Sequence, residues 1–185
     1  MEILYIAGGL FVIIALFVII TYNTLVNLRN LRTESWSDVD TELKRRYDLI
    51  PNLVNVVKGY ASHEQQTLEE VTRLRAQAVS SIGSPNSQAK DENELIRGLR
   101  TLFSVAEKYP DLKASNNFLE LQNELRNTED RIQAARRFFN ANVRDYNNKV
   151  QAFPSNIIAS IFNFRQEEFF EIEDTGIRTA PKVSM

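Results

Sequence analysis

The strongest constraint on this chain is an apolar run at its N-terminus. Residues 3–20 read ILYIAGGLFVIIALFVII, 18 residues without a charge, and the next charged residue is Arg29. About 20 residues rising 1.5 Å each cross the hydrocarbon core of a bilayer, so the run has the length of a transmembrane helix. No basic residue precedes it and no small-residue cleavage site follows it, which argues against a signal peptide. The sequence therefore predicts an uncleaved single-pass anchor over residues 1–22.

Basic residues beyond the run predict its orientation. Arg29 and Arg32 follow the span closely, whereas only Met1 and Glu2 precede it. Because basic flanks stay on the cytoplasmic side, we expect a short N-terminus outside and the C-terminal domain in the cytoplasm.

Composition removes most catalytic and binding classes. The chain has 22 basic and 24 acidic residues, so it offers no electrostatic case for binding nucleic acid. It has no cysteine and one histidine, His63, which excludes zinc ribbons, thiol nucleophiles and di-iron carboxylate sites. Thr67 stands where a zinc protease motif starting at His63 needs its second histidine. We expect no enzyme activity, no cofactor and no metal site.

Apolar residues at helical spacing predict the fold. No segment alternates with period two, and the few turn signals lie near Gly83 and Pro110. The pattern predicts an all-α fold: an N-terminal transmembrane helix followed by an elongated, partly coiled-coil-like antiparallel bundle of about four helices over residues 23–164. The stripes are Trp36, Val39, Leu43, Tyr47, Ile50, Val54, Val57 and Ala61; Leu68, Val71, Leu74 and Ala78; Leu95, Leu99, Leu102 and Ala106; and Phe118 to Val150.

Three residues have predicted structural roles, and one helix start is predicted. Trp36 lies on the first stripe, so we expect a core or helix–helix contact. Pro51 lacks an N–H and predicts a kink or break near residues 49–50, or a restart of the helix. Pro154 ends the longest helix, predicted over residues 117–151.

The third helix is predicted to start at Asp91 or Asn93.

An apolar segment follows Pro154. Residues 155–164 predict a short helix capped by Ser155. Its apolar residues cover too many faces for a fully exposed helix, so they cap the bundle, join subunits or touch a membrane, in that order of preference. The residues concerned are Ile157, Ile158, Ile161, Phe162 and Phe164. Residues 165–185 predict an acidic, loosely ordered tail.

The basic residues Lys44, Arg45 and Arg46 form the densest positive cluster. Successive helical residues point in different directions, so the three side chains cannot all face one partner. We therefore favour ion pairs within the bundle, for example with acids of the long helix predicted over residues 117–151, over binding of acidic protein segments. The cluster lies about 35 Å along a continuous helix from the membrane, beyond reach of lipid charge. The acidic stretch beginning at Glu167 is one segment that Arg45 or Arg136 of a neighbouring copy could bind.

Several motifs resemble those of the LemA family. They are YNTLVNLRN at 22–30, SWSDVD at 35–40, LKRRYDLIPNLV at 43–54, VKGYASHE at 57–64, AARRFFN at 134–140, DYN at 145–147 and FPSN at 153–156. The resemblance covers nearly the whole chain. It implies a bacterial single-pass inner-membrane protein with a cytoplasmic helical bundle and no established biochemical activity. Some members are associated with magnetosome membranes, so membrane organisation follows by analogy.

Two function hypotheses remain open. The first is a non-enzymatic, membrane-anchored helical scaffold that organises membrane or recruits unknown protein partners, in processes such as envelope stress or membrane remodelling. We expect it to form a homo-oligomeric ring or open array, because apolar residues such as Leu53, Ile96, Phe103 and Phe138 lie beyond the stripes. The alternative is a four-helix sensory or ligand-binding module, which would need its bundle outside to sense external ligands.

Overall fold

A computed structural model describes residues 1–172 of the chain, and all regular secondary structure in that range is helical. The predicted all-α fold class is confirmed, and no strand occurs among these residues. The helices are α1 Glu2–Tyr60, α2 Gln65–Ser80, α3 Pro85–Ala106, α4 Pro110–Lys113, α5 Asn116–Gln151 and α6 Ser155–Ile161.

The first helix, α1, is continuous over 59 residues. It contains an apolar window long enough to cross a membrane, and none of that window is buried. The helix continues past the apolar run as predicted. The break or restart predicted near Pro51 is wrong because Pro51 lies inside α1, and the kink stays a prediction.

The continuity of α1 at Pro51 has a physical explanation. Proline has no N–H, so the carbonyl of Tyr47, four residues earlier, loses its usual helical partner. Arg75 of α2 supplies a replacement, since its Nε donates to the Tyr47 carbonyl oxygen at 2.6 Å. Pro51 itself is exposed, so its ring displaces no core residue. A long-range side-chain hydrogen bond thus takes the place of the one that the proline cannot donate.

The described chain forms two compact units. The first unit comprises Met1–Asp40 with Ala134–Glu168, and the second comprises Thr41–Gln133 with residues 169–172. Helices α1 and α5 each contribute to both. The predicted segments 1–22, 23–164 and 165–185 stay a prediction, and residues 173–185, which include the acidic Glu173 and Asp174, lie outside the described range.

The second unit is built from α2, α3, α4 and parts of α1 and α5. Helices α2 and α3 approach closely at Gly98, where a Cβ would lie 2.7 Å from Leu74 Cδ1 and would force the leucine side chain to shift. Phe103 of α3 packs against Phe118 of α5 with ring centroids 6.1 Å apart. The fully buried apolar core of the unit includes Leu43, Ile50, Leu53, Val57, Val71, Leu95, Leu102 and Leu112.

Helix α3 begins six residues before the earlier of its two predicted starts. Ser84 caps it by accepting a hydrogen bond from the Ser87 N–H at 3.4 Å, and Pro85 occupies the first helical turn. The prediction of a start at Asp91 or Asn93 is wrong because the Ser-Pro pair is a helix start signal as well as a turn signal.

The first unit joins the N-terminal part of α1 to the C-terminal part of α5 and to α6. Its core cluster consists of Leu25, Tyr146, Ile158, Ala159 and Phe164. Further along α1, the Trp36 ring packs against Phe139 of α5 with centroids 4.9 Å apart. This contact agrees with the helix–helix role expected of Trp36.

We predict that Arg75→Met lowers the free energy of unfolding by about 1.5–3 kcal/mol, because it removes the charged hydrogen bond that the Tyr47 carbonyl accepts from Arg75. In a Pro51→Ala background Arg75→Met should lower the free energy of unfolding much less, because the alanine N–H can donate to the Tyr47 carbonyl. Urea unfolding of the full chain in mild detergent, followed by circular dichroism, measures both. Arg73→Met is the control, because exposed Arg73 pairs with exposed Glu70. Equal costs of Arg75→Met in both backgrounds would contradict the explanation.

Candidate membrane-proximal site

The turn between α5 and α6 is held by Ser155. α5 ends at Gln151, before Pro154, as predicted. The buried Ser155 hydroxyl donates to the carbonyls of Lys149 at 2.7 Å and Ala152 at 2.9 Å. The expectation that Ser155 caps α6 is therefore wrong, since its side chain makes no cap hydrogen bond and instead ties the turn to the end of α5.

The other end of α6 turns the chain back towards the core. Asn163 adopts a left-handed conformation with φ of 63°. The N–H of Phe164 donates to the Ala159 carbonyl at 2.9 Å and that of Asn163 to the Ser160 carbonyl at 3.3 Å, the pattern of a Schellman motif. Asparagine tolerates this conformation better than most residues. The motif is followed at once by Phe164, which is buried in the core cluster.

α6 lies beside α1 immediately after the apolar run. The Tyr22 ring of α1 is 4.8 Å from that of Phe162 and 5.8 Å from that of Phe164. The guanidinium carbon of Arg29 lies 5.2 Å from the centroid of the Phe164 ring. Because the apolar run ends at Ile20, α6 contacts the helix where the predicted span ends.

The apolar residues of α6 and its flanking turns that do not enter the core cluster are exposed. We call Phe153, Ile157, Ile161 and Phe162 the α6 outer face; Ile161 is 68% exposed and Phe162 47%. No charged residue lies between Lys149 and Arg165. The predicted apolar set is therefore divided: Ile158 and Phe164 enter the core, whereas Ile157, Ile161 and Phe162 remain outside.

Asn147 fixes the segment that follows α6. Its Nδ2 donates to the Glu167 carbonyl and its Oδ1 accepts from the Glu167 N–H, both at 2.9 Å. Arg32 of α1 forms an ion pair with the Glu167 carboxylate. Burial raises the pKa of the neighbouring Tyr146, the Glu167 charge raises it further, and Arg29 and Arg32 oppose the shift. The first acid of the acidic stretch thus pairs within its own chain, and a contact with a neighbour's Arg45 or Arg136 stays a prediction.

Arg46 lies inside the second unit, which agrees with the favoured interpretation of ion pairs within the bundle and leaves it unavailable for binding acidic protein segments. It is 1% exposed and forms an ion pair with Glu92 of α3, which is 0% exposed. Its Nη1 also donates to Glu129 of α5 at 2.9 Å, in line with the expected ion pairs to the last helix. The Tyr47 hydroxyl donates to the other Glu92 oxygen. These charges connect three helices of the unit.

The other predicted polar positions lie nearer the surface. Arg45 is exposed, with its Nη1 3.7 Å from Glu42 Oε2 one helical turn away. Arg136 is half-buried on α5, and His63 is exposed in the turn after α1. Among the residues described, no group of three or more histidine, cysteine or acidic side chains is placed to hold a metal ion.

Sequence reasoning missed Glu92, Arg75 and Asn147. Glu92 lies three residues before Leu95 on the α3 stripe, and this spacing is the signal that could have placed it inside. Asn147 likewise lies on the buried face of α5, three residues before Val150. Nothing in the local pattern marks Arg75 as the partner of a carbonyl 28 residues away.

Comparison with known proteins now decides the family. The model of the LemA family matches residues 35–185. The chain belongs to the LemA family. This agrees with the resemblance carried by its sequence motifs.

Similar proteins include one that carries the family name and two magnetosome proteins. Protein LemA of Metamycoplasma hominis is 29% identical over 164 residues, 85% of this chain and 74% of the relative. Magnetosome protein MamQ 2 of Paramagnetospirillum magneticum is 24% identical over 180 residues. Magnetosome protein MamQ of Magnetospirillum gryphiswaldense is 23% identical over 180 residues. Each of these two alignments covers 84% of this chain but 66% of the relative, just under two thirds. With the exposed apolar window of α1, these findings indicate a membrane-associated protein.

We predict that Asn147→Ala releases the segment after α6, because two hydrogen bonds to the Glu167 backbone are lost. Trypsin should then cleave after Arg165 several times faster than in the unchanged protein. Asn148→Ala is the matched control, since Asn148 is the exposed neighbour and should leave the rate unchanged. An unchanged rate for Asn147→Ala would show that other contacts hold the segment.

We predict that Arg46→Met lowers the free energy of unfolding by about 3–5 kcal/mol, because it leaves the buried Glu92 carboxylate without its cation. Arg45→Met, which removes only an exposed pair one residue earlier, should cost about 0.5 kcal/mol or less. Urea unfolding followed by circular dichroism compares the two. Similar small costs for both would contradict a structural role for the Arg46 ion pairs.

Proposed function

We propose that this protein is a non-enzymatic, membrane-anchored helical scaffold that self-associates at the bacterial inner membrane and organises it or recruits partners at the cytoplasmic face. The observation that carries the proposal is the continuity of α1. The same helix supplies an exposed apolar span and buried residues of both compact units. Membrane attachment and domain folding therefore share one element.

The charges after the span support the cytoplasmic orientation. Arg29 and Arg32 follow the apolar run on α1, and basic residues near a span favour the cytoplasmic side. With one anchor per chain, all copies share this orientation and their soluble parts are concentrated beside one membrane. High local concentration makes weak lateral contacts effective. Repetition of one lateral contact gives a ring, or an open array when it does not close.

Exposed apolar residues outside the span are the candidates for these lateral contacts. Of the four residues that the sequence offers beyond its stripes, Leu53 is buried and Ile96 and Phe103 are half-buried. Phe138 on α5 stays 51% exposed. Leu31 on α1 is also exposed and belongs to the same compact unit. Phe138 and Leu31 are therefore the first residues to test for self-association.

The buried charges and the relatives support a structural role over an enzymatic one. Arg46 pairs with both Glu92 and Glu129 between helices, so these charges are engaged in contacts within the chain. Two of the similar proteins are named magnetosome proteins, which favours work at membranes. A scaffold needs no further chemistry than surfaces and an anchor.

We predict that the full chain, in mild detergent and in lipid discs, forms species well above the 21.3 kDa monomer. Phe138→Asp, alone or with Leu31→Asp, should shift the mass distribution towards monomer, because a charge at an apolar contact must be desolvated. Leu119→Asp is the control, an exposed leucine of the other unit. Mass photometry and cross-linking give the readout.

Two results would contradict the proposed function. A strictly monomeric protein in all detergents and discs would contradict self-association. Digestion of the bundle by protease added outside intact cells would contradict the cytoplasmic orientation and would favour an external sensory module.

A further inference from the structure

We infer that the α6 outer face is a second membrane contact, which enters the boundary between headgroups and acyl chains on the cytoplasmic side. The inference rests on the proposed membrane anchorage by α1. The inferred partner of the exposed residues is lipid; these residues are Phe153, Ile157, Ile161 and Phe162.

The position of α6 on α1 is the first argument. Tyr22 follows Ile20 by two residues, an axial distance of about 3 Å, and its ring touches that of Phe162. Val18, still within the apolar run, packs against the core cluster that contains Ile158. α6 is therefore held at the level where the span leaves the hydrocarbon. Headgroups extend about 5–8 Å beyond that level, since they account for the difference between a 30 Å core and a 40–45 Å bilayer.

The surface of α6 is the second argument. Ile19 and Ile20 of α1 are more than half exposed, as are Ile161 and Phe153 of the α6 outer face. Tyr22, itself exposed, follows Ile19 and Ile20 along α1 and contacts Phe162. Exposed apolar residues of the span and of the α6 outer face thus occur on both sides of this ring contact. Amphipathic residues such as tyrosine are enriched at this depth of a bilayer.

The charges around α6 fit the same partner. α6 and its flanking turns carry no charge, so entry into the headgroup boundary requires no ion to be desolvated. Arg29 and Arg165 are exposed and lie next to the buried Phe164. Long basic side chains at such a position extend to lipid phosphates while their stems stay on apolar surface.

Lipid is favoured over a second copy of the chain because lipid that contacts the α6 outer face would adjoin the lipid that surrounds the span. A short apolar face binds a bilayer weakly by itself, but attachment through α1 supplies the high local concentration that makes a weak contact persist. The added contact would also fix the rotation of α1 about its axis. That rotation determines which face of the first unit, including Phe138, is presented to a neighbouring copy.

Site-directed spin labelling of the full chain in vesicles of phosphatidylethanolamine and phosphatidylglycerol tests the inference. The chain has no cysteine, so each introduced thiol is unique. Ile161→Cys reports on the α6 outer face, and Ile13→Cys reports on the span. Phe138→Cys is the matched control because Phe138 is similarly exposed but far from the predicted span. Its neighbour Phe139 packs against Trp36, which lies about 24 Å along α1 beyond Ile20.

The readout is the ratio of collision rates with oxygen, which is enriched in lipid, to those with a neutral water-soluble nickel chelate. We expect this ratio at Ile161→Cys to exceed that at Phe138→Cys severalfold and to approach that at Ile13→Cys.

Each other outcome overturns the inference in a recognisable way. A label at residue 161 that is as accessible to the chelate as the one at 138 would show that the face is in water, with anchorage intact. A label that is shielded from both collision partners would show a protein contact, such as a second copy. A water-exposed label at residue 13 would instead overturn the membrane anchorage itself.

Discussion

Backbone hydrogen bonding along α1 is the constraint on which the rest of this structure depends. Inside a bilayer every backbone N–H and carbonyl must be paired within the segment, and a helix meets this requirement. α1 then extends the same helix well beyond the span, where it supplies one side of both compact units. Pro51 is the point at which this continuity is most at risk. The Arg75 guanidinium satisfies the Tyr47 carbonyl there, so the helix needs neither a break nor a buried water.

In the second unit, buried charged side chains also need partners within the protein. Arg46 and Glu92 are removed from water almost completely, which is costly unless their hydrogen bonds are met within the protein. Glu129 and the Tyr47 hydroxyl provide part of these bonds, so the cluster joins α1 to α3 and α5. Such a cluster contributes little net stability compared with apolar packing. Its contribution is to disfavour other alignments of these helices, because any shift would leave a buried charge without its partner.

In the first unit, the division of a uniformly apolar segment gives α6 two different faces. The Schellman turn at Asn163 sends Phe164 into the core, and the hydrogen bonds between Asn147 and Glu167 hold the chain that follows. Ile157, Ile161 and Phe162 are left on the surface next to the end of the span. In the proposed scaffold these residues face lipid, while Phe138 and Leu31 remain available for contacts between copies.

Local patterns in the sequence determined the apolar helix of membrane-spanning length, the all-α fold class, the course of α5 up to Pro154 and the family motifs, because these features depend on spacing within one helix. They could not determine the outcome at Pro51, the burial of Arg46 or the orientation of α6. Each of these depends on a partner distant in sequence: Arg75 is 28 residues from Tyr47, and Glu92 is 46 from Arg46. The tertiary structure decided them, because only packing of the helices shows which polar groups are satisfied and which apolar residues remain exposed.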